Sequence, residues 1–173
     1  TAPERDIEAI FEQELQKTKG KFIVTAISSS VSRLGMAINV AARHGRKVAI
    51  LGRSVDRNMS LAAKLGFISF PKNTMINSHQ IKNFKDSQLA LIVAGSQGQE
   101  GSAMQRAAAG EHKNVQLKPG DRVVISSDII PGGESNVHGL INSLAKKDID
   151  VAYGSSEQLH VSGHGHRGEL ELL

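Results

Sequence analysis

Cysteine is absent from the 173 residues, which excludes disulfides and thiolate metal sites and fits a cytoplasmic setting. Tryptophan is absent too, and one Tyr with five Phe bring the aromatic share to only 3%. The core must therefore be built from Val, Ile, Leu, Ala and Met. No apolar run approaches the ~20 residues a membrane span needs, and no signal peptide is visible, so no membrane partner is expected. No Gly-x-Gly-x-x-Gly follows the first strand-like segment, which disfavours dinucleotide binding, and the lack of Gly-Lys-Ser/Thr excludes a P-loop. Repeats and low-complexity segments are missing as well. The chain opens on Thr1 and stops at Leu173 in what reads as the first turns of a helix, the expectation being a piece cut from a longer protein.

What is present suits one globular domain over residues 1–173. Hydrophobic residues make up 39% and charged residues 22%, ordinary values for a chain long enough to bury a core. The net charge of +4 is a mild bias. Its clusters (Lys17, Lys19 and Lys21; Arg43, Arg46 and Lys47; Lys146 and Lys147) fall at predicted helix ends, where cations favour the helix dipole.

Hydrophobic periodicity orders the chain. Pro3 sits just inside a first helix, with Glu4, Asp6 and Glu8 on its positive end and Ile7, Ile10, Phe11 and Leu15 along one face. Gly20 ends it. Phe22-Ile23-Val24 is a strand, followed by the hydroxyl-rich turn Thr25 to Ser30, which can cap the next helix. That helix carries Val31, Leu34, Ile38 and Ala41 and closes at His44-Gly45. The cycle repeats: strand Val48 to Leu51, polar turn Gly52-Arg53-Ser54, helix Asp56 to Leu65. A short extra strand is expected over Phe67 to Phe70, then an irregular stretch with one helical turn near Gln80 to Phe84. Leu89 to Val93 is a strand, followed by a helix through Met104 and Ala107. The turn Lys118-Pro119-Gly120-Asp121 leads into Val123-Val124-Ile125, then a helix with Val137, Leu140, Ile141 and Leu144. Val151 to Tyr153 and Gln158 to Val161 are the last strands. This alternation predicts a Rossmann-like α/β domain, a mostly parallel sheet with helices on both faces.

In such a sheet every strand's carboxyl end lies on one edge, where ligands bind. The segments delivered there are Ser28-Ser29-Ser30, Gly52-Arg53-Ser54, Gly95-Ser96-Gln97-Gly98, Ser126-Ser127-Asp128, Gly154-Ser155-Ser156 and Ser162-Gly163-His164. Hydroxyls, amides and helix N-termini there suit a phosphorylated ligand, and Arg33 and Arg53 could add bidentate contacts. Equally, Ser and Gly make good turns in any α/β domain.

The densest polar feature is His160-Val161-Ser162-Gly163-His164-Gly165-His166. Imidazoles can ligate zinc, but no His-x-His-x-Asp-His run occurs, and no complete metal site is expected within the chain. His164, between two glycines, is the candidate for acid–base or phosphate contact. Asp128 is either its partner or a helix cap.

Together these motifs resemble the β-CASP domain of ribonuclease J, a metallo-β-lactamase-fold nuclease. The resemblance rests on Thr25 to Arg33, Gly45 to Ala49 with Gly52-Arg53-Ser54, Gly95 to Gly98, Lys118 to Asp121, Ser126-Ser127 with Ile130-Pro131-Gly132, and His160 to Gly165, in that order. It implies RNA as the substrate and a two-zinc site shared with a metallo-β-lactamase domain of the same parent chain. There a metal-activated hydroxide attacks the phosphodiester, in 5′-3′ exonucleolytic or endonucleolytic RNA processing and decay. The zinc ligands are implied to lie outside this chain, which alone would be inactive. His164 matches the family's β-CASP histidine near the scissile phosphate. Ser162, Gly163 and Gly165 match the loop that holds a 5′-terminal phosphate, and Ser29, with Arg33 beside it, belongs to the turn facing that pocket. A homo-oligomeric parent is compatible with the family. Two stretches depart from its pattern: Ser29-Ser30-Val31-Ser32-Arg33, where Ser-Asn-x-His-Arg is common, and His166-Arg167-Gly168-Glu169, where Ser-Gln-Glu-Glu is common. They leave open the 5′-monophosphate preference and the balance of exonuclease against endonuclease action. A non-catalytic nucleic-acid or phosphate-ligand binding module is the alternative function.

Overall fold

The computed structural model describes residues 5–153. Five helices, α1 (Arg5–Gln16), α2 (Val31–Arg43), α3 (Arg53–Lys64), α4 (Ala103–Ala108) and α5 (Glu134–Ala145), alternate with five strands. The strands are β1 (Phe22–Thr25), β2 (Lys47–Leu51), β3 (Leu89–Val93), β4 (Arg122–Ile125) and β5 (Asp150–Tyr153). They form one sheet in the order β2-β3-β1-β4-β5, and every pairing is parallel. The expected doubly covered α/β sheet is the observed one.

Connection direction decides which face each helix covers. Connections running toward the β2 edge place α2 and α3 on one face, where Leu34, Ile38, Val55 and Met59 pack with Ile7 and Phe11 of α1. Connections running the other way place α4 and α5 on the opposite face, with Met104, Ala107, Leu140 and Leu144 against Ile23, Leu91 and Val123. This is the outcome that right-handed crossovers demand. Strands β1 and β3, central and covered on both sides, are wholly buried, as their unbroken apolar runs require.

Two expected boundaries shift. Arg53 and Ser54 are not a turn but the first residues of α3, whose N-cap is Gly52. Phe67 to Phe70 form no strand, and Phe67 is 76% exposed. The β2 edge is met instead by the next stretch: Val48 N–H donates to the Thr74 carbonyl at 2.9 Å, and Ile76 N–H to the Val48 carbonyl at 2.9 Å. The chain then crosses to the second face through two 3-10 turns, Ser78–Asn83 and Asp86–Gln88, before β3.

The basic clusters also need correcting, because two of their members are buried struts rather than helix-end charges. Lys21 is 2% exposed and pairs with Asp121 at 2.9 Å and Asp86 at 3.2 Å. Arg46 donates to three carbonyls, those of Gly20 at 2.6 Å, Leu89 at 2.9 Å and Thr18 at 3.0 Å. Burial pushes the Arg46 pKa down, opposed by the Asp121 charge. Both side chains tie the loops entering β1, β3 and β4 at the amino end of the sheet, away from the edge predicted to bind ligand.

Candidate functional site

The carboxyl edge carries an open cleft of about 690 Å³. β1 delivers Ala26 to Ser28, β2 delivers Gly52 to Ser54, and β3 delivers Ala94 to Gln97; α4 and the segment after it form the far wall. The three strands alternate in the face to which their outgoing helix turns, so the loops part and leave a crevice between them. Arg53, Arg106 and Lys113 reach it from separate elements and are exposed. None of the three makes an ion pair among the described residues, whereas the cations at the amino end are paired.

A smaller cavity of about 250 Å³ lies beside it, between the β3 and β4 loops and Tyr153 at the end of β5. Gln97 belongs to both walls. Its buried amide donates to the Asp128 carbonyl at 2.9 Å and to Ser127 Oγ at 3.3 Å, and its Oε1 accepts from Ile130 N–H at 2.9 Å. Gln97 is thus a clamp joining the β3 loop to the β4 loop.

The structure places two of the predicted site residues and separates their roles. Ser29 is exposed in the turn after β1, with its carbonyl accepting from Val31 N–H at 2.9 Å. Arg33 is buried on α2, and its Nη1 donates to the Ser126 carbonyl at the end of β4 at 3.1 Å; it braces the edge from beneath. Ser30 is the N-cap residue of α2 but its hydroxyl makes no capping bond. Ser102 does cap, accepting from Gln105 N–H at 3.2 Å. Asp128 is exposed in the loop after β4 and is not the cap of α5, which starts from Gly133. The predicted strand Gln158 to Val161 and the site residues Ser162, Gly163, His164 and Gly165, with His160 and His166, lie outside the described residues.

His112 was missed by the sequence reasoning. It lines the cleft, and its Nδ1 accepts from Asn114 N–H at 3.2 Å, which assigns the proton of the neutral ring to Nε2. Burial first, then the positive charges of Arg106 and Lys113, hold its pKa below the ordinary imidazole value. The available signal was the polar run Gly110-Glu111-His112-Lys113-Asn114, too polar for the helix before it. Because the folded-state pKa is depressed, the unfolded chain takes up the proton first as pH falls. Stability from this residue is full above the ordinary imidazole value and is lost as pH falls from there through the depressed one. Urea titrations between pH 8 and pH 5 should show the His112→Gln chain losing less stability than the unaltered chain. Equal losses would remove His112 as the source.

Among the described residues no three His, Asp or Glu side chains gather to hold a metal ion. No helix among them is long and apolar enough to cross a membrane.

Fold and cleft define an open parallel α/β domain with a cationic, hydroxyl-lined crevice where such sheets take their ligands. A family model described as ribonuclease J, beta-CASP domain, matches residues 19–144, and the chain belongs to that family. It is 35% identical over 173 residues to ribonuclease J of Helicobacter pylori (strain 26695), covering 100% of this chain and 25% of that protein. To ribonuclease J 1 of Streptococcus pyogenes serotype M3 it is 38% identical over 154 residues, 89% of this chain and 28% of that protein. Ribonuclease J of Mycobacterium tuberculosis (strain H37Rv) gives the same figures, 38% over 154 residues, with 89% and 28% covered. The chain thus spans about a quarter of the length of these relatives, in which the matched region is part of a longer protein.

Proposed function

We propose that the chain is the RNA-binding β-CASP part of a zinc-dependent ribonuclease that hydrolyses phosphodiester bonds in cytoplasmic RNA processing and decay, acting 5′-3′ exonucleolytically, endonucleolytically or both. The observation that carries this reading is the family match over residues 19–144, and a cationic cleft on the ligand edge of the sheet supports it. RNA is the substrate, and a metallo-β-lactamase domain of the same parent chain is the partner that completes the site; the parent could be a homo-oligomer. The described residues do not fit a zinc site, so the two zinc ions are assigned to ligands outside this chain and no step is routed through them.

Within this reading the chain's own residues bind and orient the substrate. Ser162, Gly163 and Gly165 hold a terminal phosphate, with Ser29 exposed on the neighbouring turn. Arg33 supports that edge through the Ser126 carbonyl. His164 stands at the scissile phosphate, where it stabilises charge or protonates the leaving group.

Two measurements test the proposal. The 173-residue chain supplied with zinc should not cleave RNA, and robust cleavage would overturn the shared-site reading. In a protein of ribonuclease J length carrying this chain, His164→Ala should lower turnover roughly 10²–10⁴-fold without changing the unfolding midpoint. Unchanged turnover would take His164 out of the mechanism. Stronger binding of sugar phosphates than of RNA would favour a small-ligand module instead.

A further inference from the structure

We infer that the larger cleft is a subsite for an internucleotide phosphate of single-stranded RNA, with Arg53, Arg106 and Lys113 as its cations and neutral His112 as a hydrogen-bond donor. The inference rests on the RNA reading above but concerns a different place from the histidine turn.

Four observations converge. The three cations come from three separate elements, the start of α3, the body of α4 and the segment beyond it, yet line one cleft. Asp56 is the one carboxylate lining it among the described residues, so three full positive charges face a single negative one. Asp56 sits in the first turn of α3, where its charge favours the helix dipole. His112 is fixed by the Asn114 amide so that Nε2 carries the ring proton, and its lowered pKa keeps the ring a donor without full charge. A phosphate entering beside it would raise that pKa, since an anion favours the charged imidazole.

The lining also says what kind of anion fits. Ile27 and Ile130, 37% and 53% exposed, flank the cleft. No aromatic ring lines it among the described residues, so bases have no stacking platform of the kind that gives sequence-tolerant strand binders their base contacts. Cations with aliphatic flanks suit a sugar–phosphate backbone, whose charge is bound and whose ribose rests on apolar surface. An open slot also admits a strand continuing in both directions, which a closed pocket for a lone phosphate would not.

The test uses the 173-residue chain and a short oligouridylate with hydroxyl groups at both ends, so that every phosphate is internal. Titration at low salt, followed by NMR, should move the His112 ring and the amides of Gly52 and Arg106. Arg53→Ala combined with Arg106→Ala should weaken binding at least tenfold and flatten the log–log salt slope by about two, roughly one per lost phosphate contact. Arg57→Ala, exposed on the same helix but not lining the cleft, should leave both unchanged. Unmoved His112 signals, an unaltered salt slope in the double variant, or equal competition by inorganic phosphate would each overturn the subsite. If the longer protein cleaves RNA while the cleft signals stay still, only the subsite falls. If the cleft signals move and the longer protein cleaves nothing, the nuclease reading falls and the subsite stands.

Discussion

Replacing Asp121 with Ala should cost about 3–5 kcal/mol, the penalty for removing one partner of a buried ion pair. Against a total stability of roughly 5–15 kcal/mol, that is enough to bring the chain near its unfolding threshold. Asp121 is fully buried, and each of its oxygens has work that nothing else performs. Oδ1 accepts from Lys21 N–H at 2.7 Å and Oδ2 from Lys118 N–H at 2.8 Å. The carboxylate also holds the buried Lys21 ammonium at 2.9 Å. Its removal orphans two backbone donors and leaves Lys21 with only Asp86, a third exposed and itself shared with Lys118 at 3.4 Å. Gly20 packs so closely on this carboxylate that no Cβ would fit there, so the surroundings cannot rearrange to supply another acceptor.

The measurement is a urea midpoint for Asp121→Ala, for Asp121→Asn, and for Asp121→Ala combined with Lys21→Met. Asn keeps an acceptor and should lose less than Ala. The double variant removes the stranded charge and should recover part of the loss, because an apolar pair is tolerated where half an ion pair is not. A loss below about 1 kcal/mol for Asp121→Ala, as for an exposed pair, would mean that the carboxylate does not hold this end of the sheet.

This end of the molecule shows where sequence reasoning stops. The alternating strands and helices were legible because each is written locally: the Leu89 to Val93 run, the Val31-Leu34-Ile38-Ala41 face and the turn before β4 all carry their signal within a few residues. Lys21 and Arg46 were read as helix-end charges because their partners, Asp121 and the Leu89 carbonyl, lie 100 and 43 residues away. Periodicity does not report such distances. Gly52-Arg53-Ser54 looked like a turn by composition, yet α3 begins at Arg53; propensity yields there to the packing of Val55 and Met59 beneath the sheet.

The cleft was legible in its edge and only partly in its residues. The rule that ligands meet the carboxyl ends of parallel strands located it, and Arg53 was in view from the start. Arg106 and His112 enter through a helix face and a connecting segment, which acquire meaning only once α4 is set against β3. Gln97 illustrates the reverse. Its Gly-Ser-Gln-Gly setting suggested a ligand loop, but its amide is occupied by the β4 loop.

The second large effect is expected at Gly98, which should tolerate Ala poorly for two separable reasons. Its φ of 68° lies in the left-handed region, where a Cβ costs roughly 1–2 kcal/mol. A Cβ built there would also collide with the Asn136 carbonyl oxygen and lie 2.8 Å from its carbonyl carbon. These atoms are backbone in the first turn of α5, so relief requires moving the helix rather than turning a side chain. Overpacking of that kind adds about 1–3 kcal/mol. Gly101 supplies the control, for its φ of 73° is nearly the same and nothing lies within 4 Å of a Cβ there. Gly101→Ala should therefore pay only the conformational part, and the difference in urea midpoint between the two variants isolates the collision. Gly98→Ala should in addition loosen the neighbouring Gln97 clamp, so the Ile130 amide bonded to Gln97 Oε1 should exchange with solvent faster in that variant than in Gly101→Ala. Equal midpoints and equal exchange in the two variants would show that the β3 loop and α5 can separate freely, and that the wall of the cleft is not set by their contact.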